Sequence, residues 1–269
     1  MRIVDAHVHL WDVDAVPIPW FREDLGLPRQ AATTDLGREL AASGVASAIA
    51  VQAADSVAEA HELVDVARRD PFVRRVVLQY SPRPGSAGGA TAVAFDPAVV
   101  GVRAAVPQSS ADLSDVEGLD ALVAHLGSTG RTLELLIRPE QLPAAAALSR
   151  RHPGTAIVVC HLGLGTGPAD TTWRAALAEA ASAPGVAAKV SGLDLGARGA
   201  EESRMLLRTA FDLFGAERLM FGSDWPMSTR RSPYREVLDA TRDALPPLTD
   251  AASRAFWSGT ADRLSPASV

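Results

Sequence analysis

His7 and His9 stand one residue apart in MRIVDAHVHLWD, at the end of a short apolar run. Along an extended strand successive side chains point to opposite faces, so residues two apart leave the same side. The two imidazoles are therefore expected close together, an arrangement that suits a metal ion or a polarised carbonyl. Further along, His161 closes the run AIVVCH and Asp224 follows LMFGS. Three neutral imidazoles and a carboxylate, from His7, His9, His161 and Asp224, can hold one divalent ion. Zn²⁺ is the best match to that donor set, and water bound to it has a pKa of about 7. The same imidazoles can polarise a carbonyl without a metal, while Asp224 takes the proton from an attacking water. Either route is attack of water on an activated carbonyl.

Elements that could bring these residues together recur along the whole chain. Eight apolar runs read as strands, at residues 3–9, 46–52, 75–79, 99–103, 133–137, 156–161, 186–190 and 219–223. Several are nearly continuous in Val, Ile and Leu, as strands covered on both faces should be. Amphipathic helical stretches lie between them, at 36–42, 57–69, 115–126, 143–151, 172–181, 201–214 and 234–244. Strand–helix alternation means parallel strands with right-handed crossovers, and eight such units predict an α/β fold, a (β/α)8 TIM barrel. No G-x-G-x-x-G follows the first strand, which argues against a dinucleotide-binding sheet. The spacing from His7 to His161, and from His161 to Asp224, is about 31 residues per unit, so all four fall at the same end of their strands. In a closed barrel the eighth strand neighbours the first, which places Asp224 beside the histidine pair. The expected active site is therefore at the C-terminal ends of the strands. Two long connections, 11–28 and 81–97, lie at that end, where such segments act as lids. With no linker or internal repeat, residues 1–269 are expected to form one domain.

Composition narrows the class. The 269 residues are 47% hydrophobic and carry a net charge of −6, which argues against nucleic acid and anionic membrane partners. Lys189 is the only lysine and Cys160 the only cysteine, so an internal disulfide is excluded. Without a basic stretch leading into an apolar run, and without any run of membrane-spanning length, a cytoplasmic location is expected. Association into a homo-oligomer is left open.

The motifs DAHVHLWD, HLG after an apolar strand, and FGSDWP together resemble the amidohydrolase superfamily, and within it the amidohydrolase-related branch that includes sugar-acid lactonases and a 2-pyrone-4,6-dicarboxylate lactonase. VQA at Val51, GVR at Gly101 and KVSGL at Lys189 also fit. The resemblance implies a (β/α)8 hydrolase that opens a small polar lactone, derived from a sugar acid or a dicarboxylate, with His7, His9 and His161 polarising the carbonyl and Asp224 as general base. Metal-dependent decarboxylation of a small aromatic or unsaturated acid is the alternative, since decarboxylases stand nearby in the superfamily. Several of its members work without a metal. Trp11 and Trp225 favour the lactonase side. The chain departs from lactonase-like relatives at Gln79–Tyr80, where they tend to carry Gly-Trp, and at Ala104, where many carry histidine.

Other polar and aromatic residues stand at strand ends. Gln52, Arg103, Arg138 and Lys189 are candidates for holding the substrate, the arginines by bidentate contact with a carboxylate. Trp20 and Trp225 could stack on a ring. For each of these a rim salt bridge or simple packing is the competing role. Asp5 is expected on the face of His7 and His9, one layer down, as a residue that orients a histidine. Cys160, adjacent to His161, is expected to point the other way, between barrel and helices.

Overall fold

The computed structural model describes residues 1–80 and 96–266. Eight parallel strands form one sheet in sequential order: β1 Val4–Val8, β2 Ser47–Val51, β3 Val73–Tyr80, β4 Val99–Ala105, β5 Thr132–Leu136, β6 Ile157–Val159, β7 Val186–Val190 and β8 Leu219–Phe221. The sheet closes on itself just past β8, where the Asp224 amide donates to the His7 carbonyl at 2.9 Å and the His9 amide to the Trp225 carbonyl at 2.7 Å. Helices α1 Thr33–Ser43, α2 Val57–Arg69, α3 Leu119–Ser128, α4 Leu142–Arg151, α5 Thr171–Ser182, α6 Ala200–Phe214 and α7 Tyr234–Ala244 surround it. This is the expected (β/α)8 barrel. Residues 11–28 include a short antiparallel pair, Trp11–Asp12 with Gln30–Ala31. Most of the expected loop at 81–97 lies outside the described residues. Among the described residues no helix is long and apolar enough to cross a membrane.

Capping and periodicity explain the helices. Ser56 accepts from the Glu59 amide at 3.1 Å to start α2, and Asp170 accepts from the Trp173 amide at 2.9 Å to start α5. Each satisfies one of the donors that a helix N-terminus leaves open. Apolar residues at helical spacing, such as Leu36 and Leu40 or Leu63 and Ala67, are buried against the outer face of the strands. A second, inner cluster of Val4, Ala6, Ile49, Val51, Val77, Val100, Val158, Ala187 and Met220 fills the lower barrel. Arg75 seals that end by donating to Asp262 at 3.2 Å and to the Ser265 carbonyl at 2.9 Å. Above the apolar plug the interior turns polar, and only there can water-dependent chemistry occur.

Two irregularities in the strands decide which side chains reach that polar layer. Between Asp5 and Val8 the β1–β2 register shifts, three steps on β1 facing two on β2. This bulge reverses the alternation, as an extra residue must. Asp5 consequently points outward, contrary to expectation. It accepts from the Tyr234 hydroxyl on α7 at 2.9 Å and from the amides of Ser223 and His7 at 2.9 and 3.1 Å. Burial pushes the Asp5 carboxyl up to about 6, against the pull of these hydrogen bonds. On β6 the regular strand ends at Val159, and His161 and Leu162 take left-handed backbone angles (φ 55° and 53°). Cys160 shares the inner face with Val158 by simple alternation, 3.6 Å from Glu134 on β5, and the left-handed turn brings His161 inward beside it, so Cys160 does not point outward as expected.

Candidate active site

His7 on β1 and His9 just past it face the barrel mouth, with ring centroids 5.0 Å apart and nearly perpendicular planes. The His161 ring lies 4.8 Å from that of His7. Asp224, after β8, completes the group. Its Oδ1 is 3.7 Å from His7 Nε2 and 3.6 Å from His9 Nε2. Uniform spacing along the chain thus translates into convergence of all four side chains. Asp224, like His161, has a left-handed backbone (φ 60°), a conformation that costs less for Asp than for bulkier residues.

The partners of each ring restrict its protons. His9 Nδ1 donates to the Val51 carbonyl at 2.6 Å, which turns Nε2 toward Asp224. His161 Nδ1 meets the Ser191 hydroxyl at 2.8 Å, and its Nε2 remains for the cavity. His7 Nε2 is buried and has no hydrogen-bond partner among the described residues. Burial holds His7 well below the usual histidine range, and the Lys189 ammonium adds to the shift. Burial also lowers His161, partly offset by Asp224. Burial by itself would raise Asp224, but the imidazoles of His161 and His9 and the Arg103 guanidinium outweigh it and keep the carboxyl below its ordinary value. The carboxylate thus faces the rings of His7 and His161, both of which burial biases toward the neutral form.

His7 Nε2, His9 Nε2 and Asp224 Oδ1 also fit a small divalent cation. Ligands around a tetrahedral Zn²⁺ stand about 3.4 Å from one another. The separations of 3.6 and 3.7 Å approach that spacing, and the unpartnered His7 Nε2 is the atom such an ion would satisfy. A second group, His7, Glu134 and Cys160, also converges. It fits poorly, because the Lys189 ammonium already sits on Glu134 and burial beside that carboxylate pushes the Cys160 thiol up to about 12.

A cavity of about 730 Å³ opens above these residues, within the size of small-molecule sites. Its wall includes His9, His161, Asp224, Arg103, Gln79 and Trp20. Arg103 donates from Nε to Gln79 at 3.0 Å and from Nη2 to the Gln52 carbonyl at 2.5 Å. Trp20 donates from its indole to the Ala53 carbonyl at 2.8 Å. These two expected substrate contacts do reach the cavity.

The other four do not line it. Gln52 is fully buried and ties β2 to its neighbours, donating to the Ser56 carbonyl and accepting from the Gln79 amide, both at 2.8 Å. Lys189 is buried beneath the histidines in an ion pair with Glu134 at 2.6 Å, 3.4 Å from His7 Nδ1. Arg138 stands half exposed and pairs with Glu140 at 3.3 Å. Trp225 packs into the core, 5% exposed. Strand-end position did not distinguish a side chain on the cavity wall from one beneath it, like Lys189, or one outside it, like Arg138. Asp55, which also lines the cavity, was missed because it stands in a turn past β2 with no motif around it.

Comparison with known proteins agrees with this geometry. A family model described as amidohydrolase matches residues 4–265. An L-fucono-1,5-lactonase of Burkholderia ambifaria is 32% identical over 242 residues, 84% of this chain and 80% of the relative. A second, from Burkholderia multivorans, is 32% identical over 279 residues, 97% of this chain and 94% of the relative. The crystal structure of an amidohydrolase from Burkholderia multivorans with bound zinc superposes over 100% of both chains, with a TM-score of 0.86 and 29% identity.

Proposed function

The chain belongs to the amidohydrolase family and is a hydrolase, and on that premise we propose that it opens a small polar lactone derived from a sugar acid. The observation that carries this reading is the convergence of the Asp224 carboxylate, held charged, with the imidazoles of His7, His9 and His161 at a ligand-sized cavity. Two relatives of similar length are lactonases, which supports the substrate class.

In this reading the lactone carbonyl sits against His7, His9 and His161, and Asp224 takes a proton from the attacking water. Water oxygen bonds to the carbonyl carbon as the proton moves to Asp224. The ring C–O bond then breaks, and Asp224 returns the proton to the departing ring oxygen, leaving a hydroxy acid. Arg103, on the cavity wall, stabilises negative charge developing on oxygen. His7, His9 and Asp224 are the residues that would hold a divalent ion, which when bound supplies Lewis-acid polarisation and more acidic water. Trp20 roofs the site.

A screen of sugar-acid 1,4- and 1,5-lactones with a pH indicator tests the proposal. Acid release well above the spontaneous rate is the expected result. Carbon dioxide evolved from an aromatic acid, with every lactone inert, would overturn it in favour of a decarboxylase.

A further inference from the structure

Asp55 stands in the turn between β2 and α2, directly before the capping residue Ser56. It lines the cavity, and its Oδ1 is shut off from bulk water with no hydrogen-bond partner among the described residues. A carboxylate oxygen so placed is unfavourable until a donor reaches it. The turn itself is tightly held. Glu59 accepts from the amides of Ala53 and Ala54 at 2.6 and 2.7 Å, and the Ala53 carbonyl holds the Trp20 indole at 2.8 Å. None of these bonds involves the Asp55 carboxylate, which can turn about its own side-chain bonds to present that oxygen to the cavity. With its N–H engaged on Ala53, Trp20 offers the cavity only apolar ring surface.

Charge narrows what can bind. Among the described residues the cavity wall carries two carboxylates, Asp55 and Asp224, against one guanidinium, Arg103. Arg138 and Lys189, the other cations expected to hold an anionic substrate, are committed to Glu140 and Glu134. A dicarboxylate would bring negative charge to a wall that is already negative, which disfavours binding. A neutral ring bearing hydroxyls brings the donors that Asp55 lacks and a C–H face for Trp20.

We propose that Asp55 accepts hydrogen bonds from substrate hydroxyls and makes the site select neutral polyhydroxy lactones over dicarboxylate lactones. This rests on the lactonase reading above and assigns a specificity-determining residue within it. The test is calorimetric titration of a non-hydrolysable polyhydroxy 1,5-lactam into the wild type, Asp55→Asn and Asp55→Ala, beside kinetics on the matching sugar lactone and on δ-valerolactone, which has no hydroxyls. Binding of the lactam is expected to weaken roughly 10- to 100-fold in Asp55→Ala, with Asp55→Asn intermediate. The loss for the sugar lactone should appear mainly in KM, and δ-valerolactone turnover should change less than about twofold. Equal losses on both lactones, unchanged lactam affinity in Asp55→Ala, or no lactam binding to the wild type would each overturn the assignment. Asp55-dependent lactam binding by a wild type that hydrolyses no lactone would uphold it while removing the lactonase reading.

Discussion

A methyl group on Gly192 would stand 2.7 Å from His161 Nδ1, inside any tolerable contact, and 3.1 Å from Asp224 Oδ2. Gly192 lies past β7 with φ at +58°, so the backbone also favours glycine there. The absence of a side chain is what lets His161 and Asp224 approach each other across the mouth of the barrel. Gly192→Ala is expected to cost about 1 kcal/mol of stability from the backbone alone. Its larger effect should be on kcat, a fall of roughly 100-fold from displacement of the site by about 1 Å. Full activity in a folded Gly192→Ala variant would show that the two side chains need not be this close.

Asp224→Asn keeps the size of the side chain and removes the base. Hydrolysis should fall by about 10²- to 10⁴-fold, with affinity for an unreactive lactam largely retained. The wild-type pH profile carries a second expectation. A base works only when deprotonated, and the neighbouring imidazoles and Arg103 hold Asp224 below its ordinary value. Activity should therefore persist on the acid side through the usual carboxylate range. An acid limb centred at pH 6 or above would assign the base to another group.

His7, His9 and Asp224 make a metal prediction that does not depend on turnover. Zn²⁺ added to metal-stripped protein should raise the unfolding midpoint. An ion at 100 times its Kd adds about 2.7 kcal/mol to the folded state. His9→Ala and Asp224→Asn should both remove the shift. An identical shift in all three proteins would locate the ion elsewhere.

Lys189 and Glu134 form a buried pair, each almost wholly hidden from solvent. Lys189→Met should destabilise the fold by about 3–5 kcal/mol because it strands the Glu134 charge. Adding Glu134→Leu should recover much of that loss, readable as the midpoint of denaturant unfolding. If Lys189→Met left stability untouched and raised only KM, the lysine would be a substrate contact after all.

Glu59 predicts a pH dependence of stability. Burial raises its carboxyl from 4.5 to about 7, despite the two amides that it accepts from. Between those values the folded chain binds more protons than the unfolded chain, so stability falls as pH rises from about 4.5 to about 7. The full difference across that window is about 3 kcal/mol. Glu59→Gln should flatten the curve over that window, and an unaltered slope would mean that the carboxyl titrates normally.

Much of this architecture was legible in the residues themselves. The alternation of apolar runs with amphipathic stretches determined the barrel, because a parallel strand covered on both faces must be apolar throughout and each crossover must bury one helix face. The even spacing of His7, His161 and Asp224 determined that they share one end of it. Tertiary structure alone decided what each side chain does there. The extra residue in β1 let Asp5 point out toward Tyr234 with His7 and His9 facing in, and the left-handed turn at His161 brought that ring inward beside Cys160. Such shifts depend on register against neighbouring strands, which no local pattern records. The pairing of Lys189 with Glu134, 55 positions apart in the chain by their numbers, likewise exists only once β5 and β7 flank β6 in the closed sheet. Residue type and spacing along the chain set the axial height of each group, and the closed sheet set its direction and its partner.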